Sequence, residues 1–76
     1  GLLNMGRAFQ VAGVKSVLVS LWEVEQGVVI KLLVSFFDHL KSGKTKSLAL
    51  KGAKDDLRSQ GYRQPHYWSG FVLVGD

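Results

Sequence analysis

A chain of 76 residues holds at most one small domain, and chains of this size bury only about 60% of the surface their unfolded form exposes. It has no cysteine, which excludes a disulfide staple, a thiolate metal site and a cysteine nucleophile within the chain. Hydrophobic residues make up 46% of it, too many for a disordered tail, and most of the +4 net charge sits in residues 41–63. Such a basic stretch could contact phosphates, but no aromatics alternate with its lysines for base stacking, which favours a solvated helix face. No charged-then-apolar leader opens the sequence. The longest apolar-rich stretch, residues 28–40, is broken by Lys31 and Asp38, which is wrong for a membrane span. A cytoplasmic, non-membrane protein is expected.

In chain order, Leu2, Met5, Phe9 and Ala12 fall at helical spacing, so residues 1–12 are expected to form a helix stopped by Gly13. Residues 15–22 follow, with the short β-branched run Val17-Leu18-Val19. Apolar residues on successive positions mean both faces are covered, as in a parallel sheet flanked by helices. Residues 23–27 read as the loop leaving that strand. A second helix is predicted over residues 27–42, with Val29, Leu32, Leu33, Phe36, Phe37 and Leu40 on one face and Gly43 at its end. Thr45 can cap a third, whose buried side would be Leu48, Leu50, Ala53 and Leu57 and which Gly61 stops. Residues 64–68 form a turn, because Pro65 disfavours helix at the residue before it. Phe71-Val72-Leu73-Val74 is a second buried strand, closed by Gly75-Asp76. Two strands covered on both faces cannot supply their own neighbours. The expected fold is therefore an α/β fragment, ordered helix-strand-helix-helix-strand, with an incomplete sheet whose missing half lies upstream of Gly1.

An ordered set of residues resembles the C-terminal part of CHAT domains, members of the caspase and separase clan of cysteine peptidases that are often fused to tetratricopeptide repeats. The set runs Gly1-Leu2-Leu3, Arg7-Ala8-Phe9, Ala12-Gly13-Val14-Lys15-Ser16-Val17 and Ser20-Leu21-Trp22. It continues through Phe36-Phe37, Leu40, Gly43, Ala49-Leu50, Ala53, Pro65, Tyr67-Trp68, Phe71 and Val74-Gly75-Asp76, and so spans residues 1–76. The resemblance implies the small-subunit side of a caspase-like α/β/α sandwich. It also implies a catalytic His/Cys dyad upstream of this chain, where a thiolate attacks the substrate carbonyl and the histidine handles protons. This chain then contributes no catalytic residue and is inactive alone. Its candidate substrate-pocket residues are Ser20, Trp22, Glu23 and Glu25, in the loop beyond the carboxyl end of the first strand, where ligands of open α/β sheets bind. By likeness to separase, Trp22 would form a wall, and Glu23 or Glu25 would pair with a basic substrate side chain. Where CHAT relatives show proline near Glu23 and aspartates near Glu25 and Gln26, this sequence departs from them. The competing account of these four makes Trp22 a core aromatic and leaves the glutamates in solvent.

The partners implied are the upstream half of the same domain, a tetratricopeptide-repeat region and a protein substrate, with an RNA-guided (CRISPR) effector as a further one. No cofactor is implied. Two other functional classes stay open: a non-catalytic scaffolding module beside the repeats, and a basic fragment that contacts RNA. His39, near the negative end of its helix, is expected at the surface. His66 is expected in a structural or surface role, since a metal would need several ligands. Tyr67 and Trp68 should lock their turn against the sheet by burying large area. Lys44-Thr45 after Gly43 lacks the upstream glycine of a phosphate loop and is set aside.

Overall fold

The computed structural model describes residues 8–10 and 15–75. Its elements are β1 (Ala8–Gln10), β2 (Ser16–Ser20), α1 (Gln26–Lys41), α2 (Lys46–Ser59), a single 3-10 turn (Pro65–Tyr67) and β3 (Phe71–Gly75). The strands form one sheet in the order β1-β2-β3, with Phe9 opposite Leu18 and Leu18 opposite Leu73.

Both pairings are antiparallel, which corrects the parallel expectation. The reason lies in the connection. A single crossover helix returns the chain so that the next strand runs parallel. Here two helices fill the connection, the chain reverses once more, and β3 runs against β2. A second correction concerns residues 8–10, expected in a helix and found in a strand. Strand pairing with β2 satisfies their backbone groups, and the Phe9 ring packs against the core from the position opposite Leu18. Leu2, Met5, Ala12 and Gly13, which carried the rest of the helical expectation, lie outside the described residues.

Both helices cover one face of the sheet. Leu18 and Phe71 meet Val28, Val29, Leu32 and Phe36 of α1 and Ala49, Leu50, Ala53 and Leu57 of α2 in a single buried cluster. The α1 face is in the expected phase, with Phe36 fully buried and Phe37 half-buried, their rings edge to face at 5.6 Å. In α2, Leu50, Ala53 and Leu57 are buried as expected, whereas Leu48 is exposed and Ala49 takes its place on the buried side, because Leu48 lies across the helix from Leu50 and Leu57. The opposite sheet face carries Val17, Val19, Val72 and Val74. Of these Val19 is buried and Val74 exposed, so β3 is not covered on both faces as β2 nearly is.

The helix ends follow local chemistry. Thr45 caps α2, its Oγ1 accepting from the Leu48 amide at 3.2 Å. After α1, Gly43 turns left-handed at φ 99° while the Gly43 and Lys44 amides donate back to the Leu40 and His39 carbonyls. After α2, Gly61 does the same at φ 105°, with the Gly61 and Tyr62 amides on the Arg58 and Leu57 carbonyls. Both are the left-handed exit that glycine adopts at least cost.

Candidate functional site

The loop that leaves β2 shapes one wall of a cleft of about 290 Å³ between the sheet and the first turns of α1. Phe9, Ser20, Glu23, Val24, Gln26, Val29, Ile30 and Leu33 line it. Its lining is mixed: Phe9, Val24, Val29, Ile30 and Leu33 are apolar, Ser20 and Gln26 are polar, and Glu23 is an exposed acid at its rim. Apolar side chains beside one carboxylate suit a side chain that is apolar along its stem and cationic at its tip.

The four candidate pocket residues part company here. Ser20 and Glu23 line the cleft; Trp22 and Glu25 do not. Ser20 is almost fully buried, and its Oγ donates to the Trp22 carbonyl, which fixes the turn out of the strand. Trp22 swings away from the cleft toward the Pro65–Tyr67 turn. Its Nε1 donates to the His66 carbonyl at 2.8 Å, and its ring stacks on the His66 ring with centroids 6.2 Å apart. A Cβ on Gly70 would stand 2.7 Å from the Trp22 ring, so the glycine gives the indole its place. Glu25 is the residue before α1. Its carbonyl accepts from the Val28 and Val29 amides at 3.0 and 3.1 Å, and its side chain makes no cap bond and is exposed. His66 therefore has a structural place, as expected. Tyr62 and Tyr67 pack edge to face at 5.2 Å, and Tyr67 and Trp68 are half-buried against the core. The Arg58 guanidinium lies over the Trp68 ring at 4.7 Å.

A second polar cluster joins the outer sides of α1 and α2. Ser35 Oγ donates to Asp56 Oδ2 at 2.5 Å, His39 Nε2 meets the same oxygen at 2.8 Å, and Lys44 Nζ meets His39 Nδ1 at 2.6 Å. One tautomer fits both contacts: Nδ1 accepts from the ammonium while Nε2–H donates to the carboxylate. The hydrogen bond from Ser35, then that from His39, hold Asp56 below its ordinary value of 3.8, with the Lys44 ammonium adding to the effect. These are the residue types of a hydrolytic triad in an unproductive order, since the hydroxyl donates to the carboxylate and not to the imidazole. The cluster is a clamp between helices. Gly52 explains its geometry, because a Cβ there would stand 2.7 Å from the His39 ring. His39 is thus set, half-buried, into the water-facing side of the α1–α2 seam. An Asp56 partner 17 positions away in sequence gives no local signal.

The basic residues are also engaged separately. Lys46 Nζ donates to the buried Ser16 Oγ at 2.6 Å, Lys44 is held by His39, and Arg58 pairs with Asp55. No helix among the described residues is long and apolar enough to cross a membrane.

A small α/β unit with a cleft at the exit of its central strand is the class of structure defined by these features. The family model of the CHAT domain matches residues 1–76, and the chain belongs to that family, a caspase-like group related to peptidases. Among curated proteins it is similar to "Tetratricopeptide repeat protein 28" of Homo sapiens, 36% identical over 76 residues, which is 99% of this chain and 3% of the relative. The Mus musculus protein of the same name is 34% identical with the same coverage. The chain therefore spans only a small part of the length of the curated relatives it matches. No solved structure matches it.

Proposed function

We propose that this chain completes the sheet and lines the substrate pocket of a caspase-like cysteine endopeptidase whose His/Cys dyad lies outside these residues, so that it cleaves nothing alone. The supporting observation is the cleft at the carboxyl end of β2, with Ser20 in its wall and Glu23 on its rim. In this reading Glu23 meets a basic substrate side chain, and Val24, Val29 and Leu33 cover the stem of that side chain. Trp22 acts at one remove, by tying the loop to the Pro65–Tyr67 turn. Glu25 contributes backbone to the start of α1, which places Gln26 and Val29 in the cleft.

The partners in this reading are the remainder of the peptidase domain, a tetratricopeptide-repeat region such as the relatives' name records, and a protein substrate in the cytoplasm. An RNA-guided effector is a further partner carried by the family resemblance. Steep salt dependence of RNA binding by the parent protein would support that contact, and a flat one would remove it.

The test is a peptidase assay of the parent protein with fluorogenic peptides varied at the residue before the scissile bond, alongside a variant of its upstream cysteine. Cleavage after Arg or Lys that is lost in the cysteine variant, and reduced by Glu23→Gln mainly through KM, is the expected result. Cleavage indifferent to Glu23→Gln removes the carboxylate from the pocket. A folded parent that cleaves nothing moves the function to a scaffolding module beside the repeats.

A further inference from the structure

The loop that carries Glu23 is hydrogen-bonded at its two ends and not between them. At its far end the Glu25 carbonyl accepts from the Val28 and Val29 amides of α1. At its near end three bonds converge on residues 20–22. Ser20 Oγ donates to the Trp22 carbonyl, the Leu21 amide donates to the Gly70 carbonyl at 2.9 Å, and Trp22 Nε1 donates to the His66 carbonyl at 2.8 Å. Glu23 and Val24 make no hydrogen bond with any described residue, and Val24 packs against the core by its side chain alone. The place of the Glu23 carboxylate on the cleft rim therefore depends on where Trp22 is fixed.

Burial alone does not fix it, since Trp22 is 37% exposed. The segment of residues 65–70 does. Pro65 has a locked φ, the Tyr67 and Trp68 amides donate to the Gln64 and Pro65 carbonyls, and Ser69 donates both its amide and its hydroxyl to the Pro65 carbonyl. On this rigid post the His66 ring lies nearly parallel to the indole, with 16° between their planes. Gly70 leaves the space that the indole fills, and the three atoms nearest an added Cβ there all belong to the Trp22 ring. Gly70 is not among the glycines with a left-handed backbone, so alanine at that position meets the ring without straining a dihedral.

We propose that His66 and Gly70 are positioning residues for the Glu23 carboxylate: through Trp22 they set the cleft's preference for a basic side chain, although neither lines the cleft. Their role rests on the pocket proposed above and governs its selectivity. A hydrogen bond and a ring stack each shift a conformational equilibrium by about two- to tenfold. Releasing them lets the loop leave its place while the core stays folded.

The test is equilibrium binding to the full-length parent protein, with its upstream cysteine replaced so that binding is read without cleavage. The probes are a fluorescent peptide with one arginine among alanines and its twin with glutamine in that place, and the readout is their affinity ratio. Gly70→Ala, which pushes the indole off its seat, should cut the arginine preference about tenfold. His66→Ala keeps the carbonyl and loses the ring, and should cut it about threefold. His66→Phe restores a flat ring and should recover the preference. His66 is exposed, so its two variants report even where Gly70→Ala fails to fold. Gly70→Ala combined with Glu23→Gln should cost no more than Glu23→Gln alone, since both act through one carboxylate. An undiminished preference in Gly70→Ala and His66→Ala, or losses that add to that of Glu23→Gln, would overturn the proposal and leave the pocket standing. Equal losses in His66→Ala and His66→Phe would overturn it for His66. A parent with no arginine preference when its loop is intact would overturn the pocket reading, and this proposal with it.

Discussion

The pair α1 and α2 meet along two seams made of different material. On the sheet side, Leu32, Phe36, Ala49, Ala53 and Leu57 close a dry contact over Leu18 and Phe71. On the outer side, Ser35, His39, Asp56 and Lys44 form a chain of hydrogen bonds open to water, with the Asp56 side chain 45% exposed. Apolar burial stabilises by area and without direction, at about 25 cal/mol per Å². Exposed ion pairs stabilise little, about 0 to 1 kcal/mol, and act through geometry. The inner seam should therefore set stability, and the outer one the relative rotation of the helices.

The largest effect should come from the inner seam. Phe36→Ala is expected to cost about 3–5 kcal/mol in chemical denaturation, since its ring is fully buried. Phe37→Ala should cost less, because that ring is only half-buried. Equal losses would mean the two rings share the core evenly.

Gly52→Ala tests whether the outer seam has shape. Alanine gains about 1 kcal/mol over glycine within a helix. The new Cβ would nevertheless meet the His39 ring, and overpacking costs about 1–3 kcal/mol, so net destabilisation of about 1 kcal/mol is expected. In a His39→Ala background the sign should reverse, and a double-mutant cycle in thermal melts reads the difference. Additive effects would remove His39 from the seam.

The next effect is in pH. The native value of Asp56 lies below its unfolded one, so its contribution to stability is complete above the ordinary value of 3.8. It is lost as pH falls from there through the lower native value. Asp56→Asn should flatten this acid limb of the stability profile while leaving the neutral region little changed. The smallest effect is that of Ser35→Ala, which removes the hydroxyl hydrogen bond to Asp56 and should move the Asp56 titration upward toward 3.8 in an NMR titration. An unmoved titration would transfer the effect to His39 and Lys44.

The same division runs through what could be read beforehand. The ends of both helices were legible, because Gly43, Thr45 and Gly61 act on groups within a few residues of themselves. The buried stripe of α1 and the position of β2 were legible from period and β-branching. The cleft was half legible. Its place at the end of β2 and the presence of Ser20 and Glu23 in its lining followed from the loop, while Phe9, Ile30 and Leu33 reach it from elements whose packing the sequence does not state.

By itself, then, the sequence determined the segments whose causes are local: caps, turns and the periodicity of one apolar face. Tertiary structure decided the rest. It made a strand of Ala8–Gln10 by offering the edge of β2, and it turned β3 antiparallel through the paired helices. It drew Trp22 onto a carbonyl 44 positions away and set His39 against Gly52 and Asp56. Each of these rests on contacts between residues far apart in sequence, whose free energy exists only once the chain has closed on itself.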